Sequence, residues 1–365
     1  MNEGLVVLAA GGTGGHLFPA EALARELLRR GRKVALVTDK RAHAFPVTGV
    51  PTYRVPAGRF GAGILGKLRG AVGVAYGTFA ASRLLKKLNP SAVVGFGGYP
   101  SVPTMLAAAR LRLPCVIHEQ NAVLGRANKL LAPRMRRVAT SFETVQGLTA
   151  SDREKIVQTG NPVRPPVLEV RNMGYDPPEP GGPIRLLIIG GSQGARILSQ
   201  VVPFALKILP KALQQRLEVW QQVRQEDMAM VEATYAESGI AVELKRFFED
   251  IPHRLAAAHL VISRSGGSTT AELTVAGRPA ILVPFAAAIA DEQTANARQL
   301  VERGGAWLLP EAEFTPAILS GLLERVLPHP AALARAAAAS FRLGEPEAAQ
   351  RLADLVETVA REGWR

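Results

Sequence analysis

The sequence is poor in cysteine and in long apolar runs. Its one cysteine, Cys115, excludes an internal disulfide framework, and the apolar neighbours in LPCVIHE favour a buried strand thiol over a nucleophile. The longest window without a charge, 88–109, contains three prolines and three glycines, which predicts a strand, a loop and the start of a helix. Disulfide-stabilised and membrane-spanning classes are therefore excluded.

The first residues also lack the features of a secretory signal. They read MNEGLVVLAA, with Glu3 where a signal peptide carries positive charge and with an apolar run of only strand length. Hydrophobic residues make up 47% and charged residues 21% of the chain, a balance typical of folded globular domains. We therefore expect a folded protein that stays in the cytoplasm.

Several common motifs of cofactor and metal chemistry are absent as well. No GxxxxGK[ST] sequence forms a P-loop, and GGTGGHLF lacks the third glycine of a dinucleotide-binding loop. No DxD pair, HExxH motif or Cys/His cluster supplies ligands for a metal ion. We therefore expect neither a cofactor nor a metal. Phosphate charge would be met by helix N-termini and by Arg164 in GNPVR, with Arg264 as a weaker candidate whose alternative role is structural.

Positive charge is present in excess. The formal net charge is +13, because 44 lysines and arginines stand against 31 aspartates and glutamates. An excess of this size predicts a polyanionic partner, which is nucleic acid, an anionic membrane surface or a phosphorylated substrate.

Apolar runs of strand length alternate with helix-length amphipathic stretches. This alternation predicts a doubly wound parallel sheet in each half of an α/β chain, because parallel strands need crossover helices. The predicted strands are LVVLAA, VALVT, AVVGF, CVIHE and RVATS in the first half, with helices at about 19–30, 63–88, 101–112 and 124–132, and RLLIIGG, LEVWQQ, AVELKRF, HLVIS and AILVP in the second half.

A segment rich in proline and glycine, 171–183, separates the two halves. We predict two Rossmann-like domains, 1–172 and 173–345, and a C-terminal helix within 346–365 that packs back on the first domain. Ligands of such sheets bind beyond the carboxyl ends of the strands, so two facing domains would enclose a cleft.

Four glycine-rich turns follow predicted strands: GGTGGH, GFGGYPS, GGSQGA and SRSGGST. A single turn of this kind is equally well explained as a tight connection between strand and helix. Together, the four turns place backbone N–H groups and helix N-termini beside the strand ends, which predicts a ligand with more than one phosphate.

Polar residues near these turns are candidates for chemistry. His16 ends the first turn and is either a general base or a structural histidine. His118 and Glu119 end the strand CVIHE and are either site residues or packing groups, whereas Asn121 suits sugar hydroxyls. Glu272 in TTAEL is either an acid favoured by the helix dipole or a ligand of a ribose diol.

The segment 59–87 carries two stripes at helical spacing. An apolar stripe lies beside a stripe of small residues, and basic residues flank both. One interpretation is a core helix with a solvated basic face. The other is a surface that rests on anionic lipid by apolar insertion and basic attraction. The apolar stripe is Leu65, Leu68, Val72, Tyr76 and Phe79, the small stripe is Gly66, Gly70, Gly73 and Gly77, and the basic flank is Lys67, Arg69, Arg83, Lys86 and Lys87, with RMRR at 134–137 as an addition.

Seven motifs, in their order and spacing, resemble the MurG family of N-acetylglucosaminyltransferases. They are GGTGGHLFPA, GFGGYPSVP, HEQNAVLGRANK, GNPVR, GGSQGAR, SRSGGSTTAEL and DEQTANA. The resemblance implies a GT-B fold, in which two Rossmann-like domains face each other across a cleft. It also implies an inverting transfer of GlcNAc from UDP-GlcNAc to the C4 hydroxyl of MurNAc in lipid I, which forms the β-1,4 link of lipid II for peptidoglycan.

The resemblance implies partners and a location too. The partners are UDP-GlcNAc, the undecaprenyl-diphosphate-linked MurNAc-pentapeptide, the anionic inner membrane surface and other proteins of cell-wall synthesis, with no nucleic acid. UDP-GlcNAc is a substrate rather than a cofactor, and its binding is expected to need no metal. The chain would be peripheral, on the cytoplasmic face of the bacterial inner membrane.

Roles for individual residues follow from matching the motifs. His16 is the implied catalytic base. The implied donor-binding residues are Thr13, Gly14, Gly15, Asn121, Arg164, Ser192, Phe248, Gly267, Ser268, Thr269, Thr270, Ala271, Glu272 and Gln293. The implied acceptor-binding residues are Gly97, Gly98, Tyr99, His118 and Glu119. Independently of the motifs, the membrane patch in the second interpretation of segment 59–87 is Leu65, Lys67, Leu68, Val72, Tyr76 and Phe79. Phe248 stands where the family has a smaller apolar residue, so its contact with uracil is expected through the backbone.

Two other functions stay open at this point. A non-catalytic nucleotide-binding membrane adaptor would need UDP contacts and the basic patch but no base, so His16 and Asn121 argue against it. A glycosyltransferase acting on diacylglycerol is the second, and only the resemblance of HEQN and GFGGYPS favours lipid I over that acceptor.

Overall fold

The computed structural model describes residues 4–11, 14–39, 45–58, 63–191 and 194–364, without the side chains of residues 64, 65, 67, 68 and 289. The strands are, in chain order, β1 (Val6–Ala9), β2 (Val34–Thr38), β3 (Thr52–Arg54), β4 (Ala92–Gly95), β5 (Cys115–Glu119), β6 (Arg137–Thr140), β7 (Ile156–Gln158), β8 (Ile184–Ile189), β9 (Leu217–Gln222), β10 (Ala241–Lys245), β11 (Leu260–Ser263), β12 (Ala280–Leu282) and β13 (Ala306–Leu308). The α-helices are α1 (Gly14–Arg29), α2 (Gly63–Leu88), α3 (Ser101–Arg110), α4 (Arg126–Leu131), α5 (Ala150–Arg153), α6 (Pro165–Met173), α7 (Arg196–Lys207), α8 (Lys211–Gln214), α9 (Met228–Ala236), α10 (Ile251–Ala257), α11 (Gly267–Ala276), α12 (Glu292–Val301), α13 (Pro316–Val326), α14 (Pro330–Leu343) and α15 (Ala348–Glu362).

The strands form two parallel sheets, as the alternation of runs predicts. The first has the order β3-β2-β1-β4-β5-β6-β7 and the second β10-β9-β8-β11-β12-β13. In each sheet the first strand in chain order lies in the middle, the next two strands lie on one side of it, and the later strands lie on the other side. The strand order therefore reverses between β1 and β4 and between β8 and β11, and these two places are the switch points. The doubly wound α/β class is confirmed in both halves.

The central strands are continuous apolar runs because helices cover both faces of each sheet. All four residues of β1 and all five of β5 are buried, and the apolar side chains on opposite faces of the first sheet enter two separate cores. The edge strands β3, β7 and β13 have only three residues each and are partly exposed. Their short and mixed sequences explain why no strand is predicted there.

The chain divides into two compact units. Unit 1 comprises residues 1–164 and 346–365, and unit 2 comprises residues 165–345. The first division falls before the predicted one at 172/173, because α6 packs on α10 and α11 of unit 2, where Arg171 donates to the carbonyl oxygens of Val275 and Phe341.

Helix α15 belongs to unit 1 although it follows unit 2 in the chain. It packs on α1, and its apolar face enters the core that also contains β1. Arg30 donates to Asp354 at 2.6 Å and to Glu357 at 3.1 Å, and Arg32 donates to Glu357 at 2.7 Å. Charge-assisted bonds thus join the end of α1 to this last helix.

The two stripes of α2 have different environments. The small stripe is packed: a methyl group at Gly77 would lie 2.1 Å from the carbonyl oxygen of Pro56, and one at Gly73 would lie 2.8 Å from the Cα of Gly58. The residues of the apolar stripe that the structure describes face outward, with Val72, Tyr76 and Phe79 exposed by 60–63%. Helix α2 therefore packs on unit 1 through its glycine stripe and through Ala81 and Leu85, and not through the apolar stripe.

We expect Gly77→Ala to destabilise the protein by about 1–2 kcal/mol. The new methyl group must displace the backbone at Pro56, and the cost of this overpacking exceeds the gain in helix propensity. Urea unfolding followed by circular dichroism measures the change. The matched control is Gly321→Ala in α13, where an added methyl group meets nothing within 4 Å and should be neutral or stabilising. Equal effects of the two variants would contradict the packing role of the glycine stripe.

Candidate functional site

The switch point of unit 1 brings two of the glycine-rich turns around one imidazole. His16 lies in the first turn of α1, after β1, because the helix begins at Gly14 and not at the predicted position 19. A methyl group added at Gly98 would lie 3.1 Å from Cδ2 of His16, and one at Gly11 would lie 3.3 Å from the same atom. Gly97 and Gly98, after β4, have φ values of 82° and 71°, which favour glycine. The ring is therefore held between backbone segments that leave little room for a side chain.

A chain of hydrogen bonds runs inward from this ring. Nδ1 of His16 lies 3.2 Å from Oε1 of Gln120, and Nε2 of Gln120 lies 3.0 Å from both Nδ1 and the carbonyl oxygen of His118. Nε2 of His118 lies 2.9 Å from the carbonyl oxygen of Gly160. His118 is fully buried, and burial lowers the pKa of its ring to about 4. The inner histidine is thus neutral near pH 7.

Glu119 organises the loop that follows β5. Its carboxylate, which is 1% exposed, accepts bonds from the backbone N–H groups of Asn121 and Gly125 and from the side-chain amides of Asn121 and Asn128. Several donors satisfy the buried charge, as such burial requires. In this structure Glu119 and His118 both lie beneath the surface of unit 1, and their contact with an acceptor stays a prediction.

The other site residues predicted in unit 1 lie nearer the surface. Tyr99 is 43% exposed, Asn121 is partly exposed, and the guanidinium of Arg164 stacks 4.2 Å above the ring of Phe18. Gly14 and Gly15 lie beside His16 in the first turn of α1. Thr13 lies outside the described residues.

Unit 2 repeats the arrangement after β8. A methyl group at Gly190 would lie 2.3 Å from the backbone nitrogen of Ala195, and Gly191 and Gly194 have φ values of 82° and 70°. Gln222, at the end of β9, accepts from the N–H of Gly190 at 3.0 Å and donates to the carbonyl of Gly191 at 3.1 Å. This tight turn leads directly into the N-terminus of α7, a geometry suited to anions. Ser192 lies outside the described residues.

The second turn of unit 2 is the N-terminus of α11. Gly267 to Glu272 form its first two turns, so backbone N–H groups of the predicted residues Ser268 and Thr269 belong to the positive end of the helix. Thr270 is buried, and its hydroxyl donates to the carbonyl of Gly267 at 3.0 Å. The side chain of Glu272 is 9% exposed. Ala271 is partly exposed in the same turns.

Gln293, in the first turn of α12, has a fixed amide orientation. Its Oε1 accepts from the backbone N–H of Phe285 at 3.0 Å and from that of Ser265 at 3.4 Å. Backbone N–H groups only donate, so the contacted atom is the oxygen. Within the described residues the Nε2 group of Gln293 has no acceptor, which makes it a ready donor to a hydroxyl group.

An open groove of about 760 Å³ lies beyond the carboxyl ends of β9 and β10. It is lined by Gly194, Gln222, Arg224, Lys245, Arg246 and Phe247, among others. Arg224 is paired with Asp227 and Lys245 with Glu243, so the exposed Arg246 is the cation of this set without an ion-pair partner among the described residues. Glu226 also lines the groove, so Arg246 stands beside a carboxylate there. The size of the groove suits a nucleotide phosphate.

Phe248 follows the groove and is 2% exposed. The guanidinium of Arg254 lies 4.2 Å from its ring and also donates to Glu243 and Asp250. These bonds hold the pKa of both carboxyl groups below their ordinary range. The ring of Phe248 is thus used in packing, and a contact with uracil through its backbone stays a prediction.

Arg264 has the structural role that the sequence leaves open. Its guanidinium donates to the carbonyl oxygens of Val283 and Pro284 and to Glu311 at 2.8 Å. Glu311 also accepts from the N–H of Ala286 at 3.0 Å. Arg264 therefore braces the loop after β12.

Several residues of these sites carry no role in the sequence-based prediction, and Arg246 of the groove is one of them. Gln120 and Gln222 link backbone and side chains at strand ends, and both amide atoms of the buried Asn161 lack a partner among the described residues. Glutamine at the carboxyl end of a strand is the signal that identifies Gln120 and Gln222. No pattern in GNPVR reveals that the Asn161 amide is buried.

The exposed face of α2, which we call the α2 patch, is a second candidate surface in unit 1. It comprises Val72, Tyr76 and Phe79, with exposed basic side chains at Arg69, Arg83, Lys86 and Lys87. The predicted members Leu65, Lys67 and Leu68 lie on the same helix, but their side chains are outside the description. No helix in the described part of the chain has both the length and the apolarity that crossing a membrane requires.

Comparison with known proteins assigns both halves of the chain. Residues 6–140 match the glycosyltransferase family 28 N-terminal domain, and residues 185–352 match the glycosyltransferase family 28 C-terminal domain. The chain is 54% identical over 358 residues to the UDP-N-acetylglucosamine--N-acetylmuramyl-(pentapeptide) pyrophosphoryl-undecaprenol N-acetylglucosamine transferase of Rhodospirillum centenum, covering 98% of this chain and 94% of that one. It is equally identical to the protein of the same name from Rhodospirillum rubrum, with 97% and 92% coverage.

Two solved structures also match the chain over nearly its whole length. The crystal structure of MurG from Acinetobacter baumannii matches with a TM-score of 0.79 and 30% identity over 97% of this chain and 99% of that one. The calicheamicin glycosyltransferase CalG4 matches with a TM-score of 0.67 and 19% identity over 99% of both chains, which is a likeness of fold alone.

We expect the stability of unit 1 to fall as the pH drops from about 6.5 toward 4. The ring of His118 has a folded pKa of about 4 and an ordinary pKa near 6.5 when unfolded, so unfolding takes up a proton in this window. Above about pH 6.5 its contribution is fully present, and its loss costs up to roughly 3 kcal/mol. Hydrogen exchange of peptides that span β5, measured from pH 4 to 7, reports this free energy of unfolding.

The variant His118→Gln removes the titrating ring and should flatten this pH dependence. His329→Gln, at an exposed position in unit 2, is the matched control and should leave it unchanged. An unchanged slope in His118→Gln would show that other groups cause the loss.

Proposed function

We infer the reaction from one premise: the chain belongs to the MurG family within glycosyltransferase family 28. It is accordingly an N-acetylglucosaminyltransferase. We propose that it moves GlcNAc from UDP-GlcNAc to the C4 hydroxyl of MurNAc in lipid I with inversion at C1, giving lipid II. The observation that carries the proposed mechanism is the position of His16, which lies at the switch point of unit 1 with its ring fixed and partly exposed.

The donor diphosphate is assigned to unit 2. The turn after β8 leads into α7, whose N-terminus attracts anions, and Arg246 in the adjoining groove supplies positive charge. Ser192 is proposed for the same turn on the family motif alone, and Arg164 of unit 1 as a further cation for the diphosphate. Positive potential here stabilises the leaving UDP, and the proposal uses no metal ion.

The sugar and the ribose are assigned to the neighbouring turns. The first turn of α11 contains Ser268 and Thr269 at the positive end of the helix, and Gln293 has an amide NH₂ ready to donate to a GlcNAc hydroxyl. Glu272 is proposed to hold the ribose diol, and Asn121 to contact GlcNAc. These contacts fix the face of the sugar that the acceptor attacks.

The base is His16. In the proposed step, O4 of MurNAc forms a bond to C1 of GlcNAc while the bond from C1 to the β-phosphate oxygen breaks and UDP leaves with its electron pair. His16 takes the proton of the attacking hydroxyl and later releases it to water. General base catalysis of this kind contributes about 10²- to 10⁴-fold to a rate. Gly97, Gly98 and Tyr99 are proposed to face the acceptor beside the base.

The α2 patch is proposed to rest on an anionic membrane, where the lipid acceptor is anchored. Val72, Tyr76 and Phe79 provide apolar area for insertion, and the flanking lysines and arginines are attracted by acidic headgroups. A peripheral location at the bacterial inner membrane follows from this proposal. The packed glycine stripe on the other side of α2 ties the patch to the body of unit 1.

We expect His16→Ala to lower kcat by about 10²- to 10⁴-fold without a comparable rise in the Kd of UDP-GlcNAc. The measurement is transfer from radiolabelled UDP-GlcNAc to a lipid I analogue, run with and without EDTA, beside donor binding by calorimetry. His329→Ala, an exposed histidine in unit 2, is the matched control and should retain full activity.

Three results would count against this proposal. Retention of most of kcat in His16→Ala would remove the assignment of the base. Binding of both substrates without any transfer would favour an adaptor. Transfer to diacylglycerol but not to the lipid I analogue would change the acceptor.

We expect the triple variant Val72→Ser, Tyr76→Ser, Phe79→Ser to lose at least tenfold in affinity for vesicles that contain phosphatidylglycerol, because it removes the inserting side chains. Co-sedimentation at several salt concentrations measures the loss. The control replaces Phe204 and Ile208 by serine, since these are exposed apolar residues of unit 2 outside the patch. If both variants bind vesicles like the parent chain, the α2 patch is not the membrane surface.

A further inference from the structure

The hydrogen bonds behind His16 end on backbone carbonyl groups, and this fixes where each proton lies. A carbonyl oxygen only accepts, so the ring nitrogen of His118 that lies 2.9 Å from the oxygen of Gly160 carries a hydrogen. Likewise, the atom of Gln120 that lies 3.0 Å from the carbonyl oxygen of His118 is its NH₂ group. Two backbone acceptors thus anchor the chain at its inner end.

The remaining positions follow without choice. His118 is neutral in this buried place, and with its hydrogen on Nε2 its Nδ1 accepts from Gln120 at 3.0 Å. The NH₂ of Gln120 is then used twice, and its Oε1 faces His16. A carbonyl oxygen accepts from Nδ1 of His16 at 3.2 Å, so that nitrogen carries the hydrogen of the neutral ring.

We propose that Gln120, oriented by His118 and Gly160, is a positioning residue that keeps His16 in the Nδ1–H tautomer, so that Nε2 holds the lone pair that receives the proton of the acceptor hydroxyl. This inference rests on the proposed role of His16 as the base. It adds a second layer to the site, in which a buried neutral histidine and an amide set the direction of proton transfer. In this role His118 and Gln120 act through His16 and not on the substrate.

The contacts of the His16 ring support this direction. A methyl group at Gly98 would lie 3.3 Å from Nε2 and one at Gly97 would lie 3.5 Å from Cε1, so the glycines flank the ring while Gln120 contacts the opposite nitrogen. Of the described groups beside the ring, Gly11, Gly97, Gly98 and Gln120 carry no charge. Hydrogen bonding at Nδ1 is therefore what distinguishes the two nitrogens, since no neighbouring charge in this set does so.

The tautomer matters for the rate because a histidine with its hydrogen on Nε2 presents N–H to the hydroxyl group. It then has no lone pair at that nitrogen to accept the proton of the hydroxyl. A catalytic histidine held in the wrong tautomer loses several orders of magnitude in rate in other enzymes. Gln120 also stabilises the protonated ring, since Nδ1–H continues to donate to Oε1 after Nε2 has taken the proton. The proton stays on His16 until it leaves to solvent, because a carboxamide NH₂ already bonded at both hydrogens passes none inward.

Nitrogen-15 NMR of the full-length protein, labelled at histidine, tests the tautomer directly. Long-range ¹H–¹⁵N correlation spectra distinguish a protonated ring nitrogen from a bare one. His16 is expected as Nδ1–H and His118 as Nε2–H, with assignments from His16→Ala and His118→Gln. If neutral His16 carries its hydrogen on Nε2, the proposal is overturned, whatever the activity of His16→Ala.

Two substitutions of Gln120 test the consequence for catalysis. Gln120→Leu removes the acceptor at a similar volume and is expected to lower kcat about 10- to 100-fold, with KM for UDP-GlcNAc changed less than threefold and with His16 shifted to Nε2–H. Gln120→Glu keeps an oxygen toward Nδ1 and is expected to recover at least tenfold of the lost kcat. It should also move the acidic side of the kcat profile to higher pH, because a carboxylate stabilises the protonated ring.

The matched control is Gln214→Leu. Gln214 is a buried glutamine of unit 2 whose NH₂ also donates to two backbone carbonyl groups, those of Lys207 and Leu209. This variant should lose stability but leave the His16 tautomer and kcat unchanged. If Gln120→Leu resembles it in retaining kcat, the positioning role is overturned.

The tests separate this inference from the proposed function. Loss of kcat in both His16→Ala and Gln120→Leu, with the expected tautomer, supports both. Full kcat in His16→Ala removes the base and with it the catalytic meaning of the positioning role of Gln120, even where the tautomer is as expected. Loss of kcat in His16→Ala alone keeps the base and removes the positioning role of Gln120.

Discussion

The close approach of backbone segments at the two switch points is the constraint on which the sites depend. In each sheet the first and fourth strands in chain order lie side by side, and from these two strands the chain continues toward opposite edges of the sheet. In unit 1 the turns after β1 and β4 pack against the ring of His16, and in unit 2 Gly190 packs against Ala195 within the turn after β8. A methyl group at Gly190 would lie 2.3 Å from a backbone nitrogen, and one at Gly98 would lie 3.1 Å from His16. Glycine is required here by space, and it leaves backbone N–H groups uncovered, a geometry that generally suits anions.

Much of the fold could be predicted from the sequence because the patterns that indicate strands and helices are local. Buried parallel strands read as continuous apolar runs, so the central strands of both sheets are predicted at nearly their observed bounds. The short edge strands β3, β7 and β13 are missed, since half-exposed segments of three residues carry no periodicity. The start of α1 is placed too late because Gly14, Gly15 and Pro19 are poor helix formers, and the packing of the turn decides against propensity.

The site is predicted less completely than the fold, for a related reason. The motifs point to His16 and the α11 turn because these follow β1 and β11, whereas Gln293 is predicted from the family motif alone. They do not reveal that His118 and Glu119 are buried or that Gln120 joins two histidines that are 102 positions apart in the chain. Likewise, the sequence of α2 contains both stripes but does not decide which one packs. That choice depends on the segment at Pro56 and Gly58, whose backbone fits only against glycine.

The use of an amide rather than a carboxylate behind His16 has a consequence for the reaction. A carboxylate partner both orients an imidazole and stabilises its protonated form strongly, as in hydrolases where the histidine must return the proton to a leaving group. In the proposed transfer the leaving UDP is a stable anion and needs no proton, so the histidine has to release its proton to water before the next turnover. Gln120 orients the ring through one neutral bond of 3.2 Å and leaves the imidazolium without a counter-charge in that position. The buried, neutral His118 serves the same end, because it fixes the amide without placing a charge beside the base.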